Sequence, residues 1–242
     1  CIIYGVEMTL VENLMINYVV ISPTLSLLFT VIILLFCTIT ISTPMYIKKW
    51  VSFSGVLLTL FMVFLKFGLY STDGISAYFS NMILSDPFSL VGNTLIAFIL
   101  LFTFSSFWKT SELIESKTTE ALILIFMSAS GFMLMVDSEN FIMLFIGLEI
   151  GSISLYALAG LNRGDQLSNE ASLKYFLLGS LASCIFIYGI ALLYVSLSII
   201  GLYEINIAIN YIGLNNVPLT SFIGIIFIIV GLLFKVCLLY TS

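Results

Sequence analysis

The sequence contains no histidine, and that absence removes several chemistries at once. Haem held by an axial histidine, zinc held by Cys and His, and imidazole acid–base catalysis are all excluded within this chain. Cysteine offers no substitute. Cys1, Cys37, Cys184 and Cys237 lie far apart, form no C-x-x-C, and three of them fall in apolar runs, so they read as buried apolar thiols. Charge is scarce as well: 9% of residues, against roughly 25% in soluble domains. Eight scattered Lys and Arg make no basic face, so nucleic acid is not a partner. The first basic residue is Lys48, which leaves no secretory n-region and no Arg-rich transit peptide at the start. The chain opens on Cys1 rather than Met, so its true start is expected upstream. Arginine occurs once, at Arg163, amid abundant Ile, Leu, Phe and Tyr, a bias that suits an AT-rich organelle genome.

What the sequence does have is hydrocarbon: 61% of its residues are hydrophobic. Apolar runs of 18 or more residues make helical spans, since barrel strands are shorter and alternate in polarity. The fold class is therefore an all-α membrane protein with about seven transmembrane helices and lipid as its solvent. Residues 1–21 are interrupted by Gly5, Glu7, Glu12 and Asn17 and read as an interfacial segment or a ragged first helix. Ser22-Pro23 looks like an N-cap and first helical position, opening helix 1 to about Ile41, and Thr43-Pro44 closes it. Helix 2 follows from about Trp50 to Tyr70, and its Lys66 reads as a snorkelling lysine. A polar-flecked loop covers Ser71 to Asp86. Asp86-Pro87 opens helix 3, which ends near Trp108, and Lys109 to Lys117 form a charged loop. Helix 4 covers about Thr119 to Val136, Asp137-Ser138-Glu139 turn into helix 5, and helix 5 ends near Leu161. Helix 6 runs from about Ser168 to Leu197, with Glu170 in its first turn favoured by the helix dipole. A looser stretch, 198–217, precedes helix 7, opened by Val217-Pro218. On this reading all four prolines sit at helix edges. The chain divides into 1–118, an interfacial segment with helices 1–3, and 119–242, with helices 4–7.

The basic residues sort completely. Lys48, Lys49, Lys109, Lys117 and Arg163 fall in loops 1–2, 3–4 and 5–6, while the other loops hold only acids. The basic loops are expected on the cytoplasmic or matrix side.

Three ionisable groups lie inside the spans: Glu149 in helix 5, Lys174 in helix 6 and Lys235 in helix 7. A charge at mid-bilayer costs about 2.5–3.5 kcal/mol even on lenient scales, so such groups are rare and usually functional. Gly147 and Gly151 frame Glu149. At about 100° per residue the two glycines share one face and the carboxylate points to the other. Burial pushes a lysine toward the neutral amine and a carboxylate toward the acid, whereas mutual attraction restores both charges. Groups balanced between those effects suit a proton relay. A structural ion pair or a neutral hydrogen-bonding acid satisfies the same residues, and both readings stand at this point.

Gly147-Leu148-Glu149, then Glu170-Ala171-Ser172-Leu173-Lys174-Tyr175-Phe176-Leu177-Leu178-Gly179, then Tyr188-Gly189-Ile190-Ala191-Leu192-Leu193-Tyr194 resemble the antiporter-like subunits of respiratory complex I. Among these they are most similar to the N-type branch, NADH dehydrogenase subunit 2. Gly231-Leu232-Leu233-Phe234-Lys235 resembles the segment opening that family's broken helix 7. The likeness is specific over 139–197 and 230–236. It implies the N-terminal part of an inverted-repeat fold in the mitochondrial inner membrane, with helix 7 the first half of a discontinuous helix. It also implies that Glu149, Lys174 and Lys235 belong to a proton path coupled to NADH:ubiquinone oxidoreduction. NADH, FMN, iron–sulfur clusters and ubiquinone are then expected on other subunits, with none in this chain. The implied partners are the other membrane-arm subunits and membrane lipids. The family's Pro-Phe-His after the helix 7 lysine is replaced by Leu238-Leu239-Tyr240-Thr241-Ser242. The chain is accordingly expected to be the N-terminal half of a split subunit completed by a second polypeptide, with a gene fragment as the competing account. A cation/proton antiporter subunit, a non-conducting scaffold and a seven-helix receptor are the rival functions.

Overall fold

The computed structural model describes residues 2–39, 44–73, 76–79, 81–110, 115–213 and 217–241. Among them run eight helices: α1 (Ile2–Ile39), α2 (Met45–Asp73), α3 (Pro87–Thr110), α4 (Glu115–Val136), α5 (Phe141–Ala159), α6 (Gln166–Leu197), α7 (Leu202–Ile212) and α8 (Leu219–Thr241). A short hairpin, β1 (Ser76–Tyr78) and β2 (Ile83–Ser85), joins α2 to α3, with Ala77 opposite Leu84. Seven of the helices, all but α7, are long and apolar enough to cross a membrane, which agrees with the count read from the sequence. The chain is a multi-pass membrane protein.

Several boundaries differ from the sequence reading. Ser22-Pro23 does not open a helix; Pro23 lies inside α1. Proline removes the N–H that would bond the carbonyl of Val19, four residues back. The Ser22 hydroxyl donates to that carbonyl at 2.7 Å, so the orphaned acceptor is satisfied and the helix continues. The Ser71–Asp86 loop contains the hairpin. The loose stretch 198–217 contains α7, which is flanked by Gly201 and by Gly213, a residue with φ +77°. Helix α6 begins at Gln166, capped by Asp165, so Glu170 lies beyond its first turn. Lys48 and Lys49 belong to α2 itself. Cys184 and Cys237 are exposed on the outside of the bundle and Cys37 is half-buried, so the reading of buried thiols fails; Cys1 lies outside the described residues.

Other signals hold as read. Pro87 is the first residue of α3, and Asp86 accepts from the Ser89 N–H at 2.7 Å while the Ser89 hydroxyl takes the Asp86 N–H at 3.1 Å. Asn140, not singled out in the sequence, caps α5 by accepting from the Ile142 N–H at 2.8 Å.

Two apolar cores result. Leu27, Val56, Ala97 and Phe126 join α1, α2, α3 and α4. Phe186, Ile190, Ile205 and Ile228 join α6, α7 and α8, with Phe141 and Phe145 of α5 against them. Glycines bring backbones into contact where the cores meet their helices. A Cβ on Gly131 of α4 would strike the Gly147 carbonyl and the Gly151 N–H of α5, and one on Gly189 of α6 would strike the Gly224 carbonyl of α8.

The two ends of the bundle differ. At one end the 137–140 turn gathers the hairpin and α7: the Leu84 N–H donates to the Asp137 carbonyl at 2.8 Å, and the Leu202 N–H to the Glu139 carbonyl at 2.9 Å. At the other end lie Lys117, Arg163 and the α5–α6 connection, where Lys117 Nζ donates to Asn162 Oδ1 at 2.8 Å. We refer to these as the hairpin end and the basic end.

Candidate functional site

Helix α5 divides its faces as its spacing requires. Gly147 and Gly151 press on α4, which turns Glu149 toward α6 and α8. Glu149 is the ninth residue of α5, about 12 Å from its start and therefore deep in the helix. Its Oε1 accepts from Lys235 Nζ and from the Ser183 hydroxyl.

Lys235 reaches the carboxylate because of where it sits on α8. Gly224, Ile228, Gly231 and Lys235 are spaced four, three and four residues apart, one continuous face. The first three pack on Gly189, Leu193, Ala182 and Phe186 of α6. The lysine thus ends a packing stripe, and its ammonium is delivered between α5 and α6. A second bond runs from Lys235 Nζ to Ser152 Oγ at 3.3 Å. The Ser152 hydroxyl donates to the Leu148 carbonyl, and Tyr156, one turn further along α5, brings its hydroxyl against that of Ser152. The ion pair keeps limited access: the side chains of Lys235 and Glu149 are 11% and 24% exposed.

Lys174 is not part of this cluster. Its side chain is 61% exposed and pairs with Glu170 one turn earlier at 2.5 Å. The cause is geometric. Nine residues separate Lys174 from Ser183, about 900° of helix, which places them on opposite faces of α6. The structure therefore brings together two of the three residues singled out from the sequence. Ser152 and Ser183 are additions that the sequence did not single out, and the spacing of Ser183 from Lys174 already separated those two.

Lys66 overturns its sequence reading. It does not snorkel: it is fully buried, and its Nζ lies 2.6 Å from Asp137 Oδ1, a carboxylate only 2% exposed. Asn93 Nδ2 donates to the same oxygen at 2.7 Å. This pair ties α2 and α3 to the α4–α5 turn at the hairpin end. Burial pushes the Asp137 carboxyl up to about 6, against the pull of Lys66 and the Asn93 amide. A cavity of about 700 Å³ opens nearby, lined by Leu84, Asp86, Glu139, Tyr203 and Glu204 among others, and it touches none of the three intramembrane residues singled out earlier.

Residues 138–241 match the family described as NADH:quinone oxidoreductase/Mrp antiporter, TM. The chain is 43% identical over 159 residues to NADH-quinone oxidoreductase subunit N 1 of Chloroherpeton thalassium, covering 65% of this chain and 33% of that one. Against subunit N of Bartonella bacilliformis the identity is 38% over 184 residues, covering 73% and 35%. Among solved structures, a chain of respiratory complex I from Thermus thermophilus superposes with a TM-score of 0.68 at 26% identity, over 89% of this chain and 44% of that one. A chain of an archaeal membrane-bound sulfane sulfur reductase shares the fold with a TM-score of 0.71 at 22% identity, covering 90% and 44%. The chain has the antiporter-like fold and, over the residues matched, is similar to the N-type subunits. It spans about a third of the length of the curated relatives it matches.

Proposed function

We propose that this chain is part of an N-type membrane-arm subunit of NADH:ubiquinone oxidoreductase, and that Glu149 and Lys235 carry protons through it. The observation that carries the reading is the Lys235–Glu149 pair, held inside the bundle by serine hydroxyls rather than at its surface. A lysine and a carboxyl in contact share one proton between two arrangements, charged or neutral, with the same net charge. Parting the two side chains removes the attraction that maintains both charges, so each becomes free to exchange its proton with another donor or acceptor. Movement of α8 against α5 is enough to do this. Lys174, on the outer face of α6, takes its place in the proposal from the family resemblance, as an exchange group between the bundle and its surroundings.

The location proposed is the mitochondrial inner membrane, with the basic end toward the matrix, on the strength of the sorted Lys and Arg. NADH, FMN, iron–sulfur clusters and ubiquinone would be held by other subunits. The rest of an N-type subunit, on this polypeptide or on a second one, would seat against the outward side of α8, where Phe222, Ile226, Ile229 and Leu233 are exposed. The proteins that co-purify with the chain decide between those two arrangements. They also decide the second reading, a subunit of a cation/proton antiporter, which the family description names alongside the oxidoreductase. Flavin and iron–sulfur proteins in the complex favour the first.

The test is the proton-to-electron ratio of the assembled complex. Glu149→Gln and Lys235→Met are expected to lower it, or to lower coupled activity by about tenfold, while assembly persists. Wild-type pumping in both variants leaves the chain as a scaffold.

A further inference from the structure

We propose that Lys66, Asn93 and Asp137 form a second proton-binding site, in which a proton taken up by Asp137 releases the Lys66 ammonium from the bundle to the membrane surface. The site is separate from Glu149 and Lys235 and does not rest on their role.

The first argument is electroneutrality. With Asp137 ionised, the buried site holds one positive and one negative charge, paired at 2.6 Å with both side chains almost entirely hidden. A proton on Asp137 cancels the negative charge and would leave the ammonium buried alone, which is strongly unfavourable. The site becomes neutral again if the ammonium leaves still carrying its proton. Both end states, a paired Lys66 with an ionised Asp137 and a departed Lys66 with an acid Asp137, contain no uncompensated buried charge. One proton is gained and no bond to carbon changes.

The second argument is that Lys66 has somewhere to go. It lies four residues before the end of its span at Tyr70, about 6 Å along the helix axis, within the reach of a lysine stem. The third is Asn93. It is fully buried, its Nδ2 serves the ionised carboxylate, and its Oδ1 has no hydrogen-bond partner among the described residues. An acid at Asp137 supplies the donor that Oδ1 lacks once the amide turns over, so one side chain fits both protonation states.

The groups around Asp137 set the sign. Lys66 faces it from α2, Asn93 from α3 and Asp86 from the head of α3, while Glu139 of the same turn is engaged with the Tyr203 N–H of α7. Lys66 and Asn93 favour the carboxylate; burial and Asp86 favour the acid. Because Lys66 holds the carboxyl below the value that burial alone would give, its departure raises that value further. By linkage, acid then favours the state with Lys66 outside. The backbone of the turn stays where the hairpin bonds hold it.

The test measures acetylation of Lys66 by a sulfonated N-hydroxysuccinimide ester on the purified, assembled protein, read by peptide mass spectrometry as a ratio to the exposed Lys174. In the wild type the ratio is expected below about one tenth at pH 8 and at least about fivefold higher at pH 5.5. In Asp137→Asn, which fixes the neutral form, it is expected to be high at both. A wild-type ratio that is flat between pH 5.5 and 8 overturns the proposal whether or not the variant folds. A folded Asp137→Asn protein that protects Lys66 at both pH values overturns it too.

Discussion

Two of the lysine–carboxylate pairs among the described residues are withdrawn from the surface, and they are built differently. Lys66–Asp137 sits at a helix end, sealed at 0% and 2% exposure, with a single amide as its other partner. Lys235–Glu149 lies deep in the helices, at 11% and 24% exposure, and its polar neighbours are serine hydroxyls. A hydroxyl both donates and accepts and turns freely about its C–O bond, so it can follow a proton; an amide must turn over as a whole to exchange donor for acceptor. The first pair joins the α1–α4 core to the turn that starts α5, whereas the second joins α5 to α6 and α8. One lysine–acid combination thus takes a proton only by letting its lysine go in one place and passes a proton within the pair in the other, and the surroundings make the difference.

That contrast can be broken by removing charges singly. Lys66→Met alone leaves Asp137 buried without its cation and is expected to cost about 3–5 kcal/mol of stability, while Asp137→Leu, from which the ammonium can retreat to the surface, costs less and the double variant is near neutral. Thermal unfolding in detergent reads this, and equal losses in single and double variants would contradict a sealed pair. The next effect is a pH dependence. With the Asp137 carboxyl near 6 in the folded chain and at an ordinary 3.8 when unfolded, the folded state binds the proton more readily between those values. Stability from this group therefore falls as pH rises through that window and is flat above it. Relative to the Lys66→Met/Asp137→Leu protein, the wild type should gain about 1 kcal/mol between pH 7 and pH 5. A gain in the opposite direction would mean that Lys66 outweighs burial. The smallest effect sharpens the other pair: Ser183→Ala removes one hydrogen bond to Glu149 and should shift the pH profile of coupled activity with a change of about 1 kcal/mol, near fivefold. An unchanged profile would make Ser183 a packing residue only.

The spans were legible because hydrocarbon imposes long apolar runs, and Glu149 and Lys235 because each interrupts one. Which face Glu149 takes was legible too, from the spacing of Gly147 and Gly151. The Lys66–Asp137 pair was hidden, since its partners lie 71 residues apart and a lysine near a span end looks the same whether it snorkels or pairs. Pro23 misled because Ser-Pro reads as a helix start, and the hydroxyl that rescues Val19 is a property of the folded helix. Helix α7 was obscured by the glycines at its two ends and the asparagines within it, while its Ile205 is buried only by tertiary packing. Lys174 carries the opposite lesson. Its distance from Ser183 was available all along and already placed it on the far face of α6.

The glycine contacts between α6 and α8 limit where α8 can give. At Gly189 and Gly224, and again where Gly231 meets Ala182 and Phe186, the two helices press together, so α8 has no sideways play there. Lys235 lies four residues beyond the last of these contacts, about 6 Å along the axis. A shift confined to that final turn, or a change of rotamer in the lysine stem, is enough to take a hydrogen bond of about 3 Å out of range. The ammonium can therefore part from its carboxylate while the rest of the helix pair stays clamped.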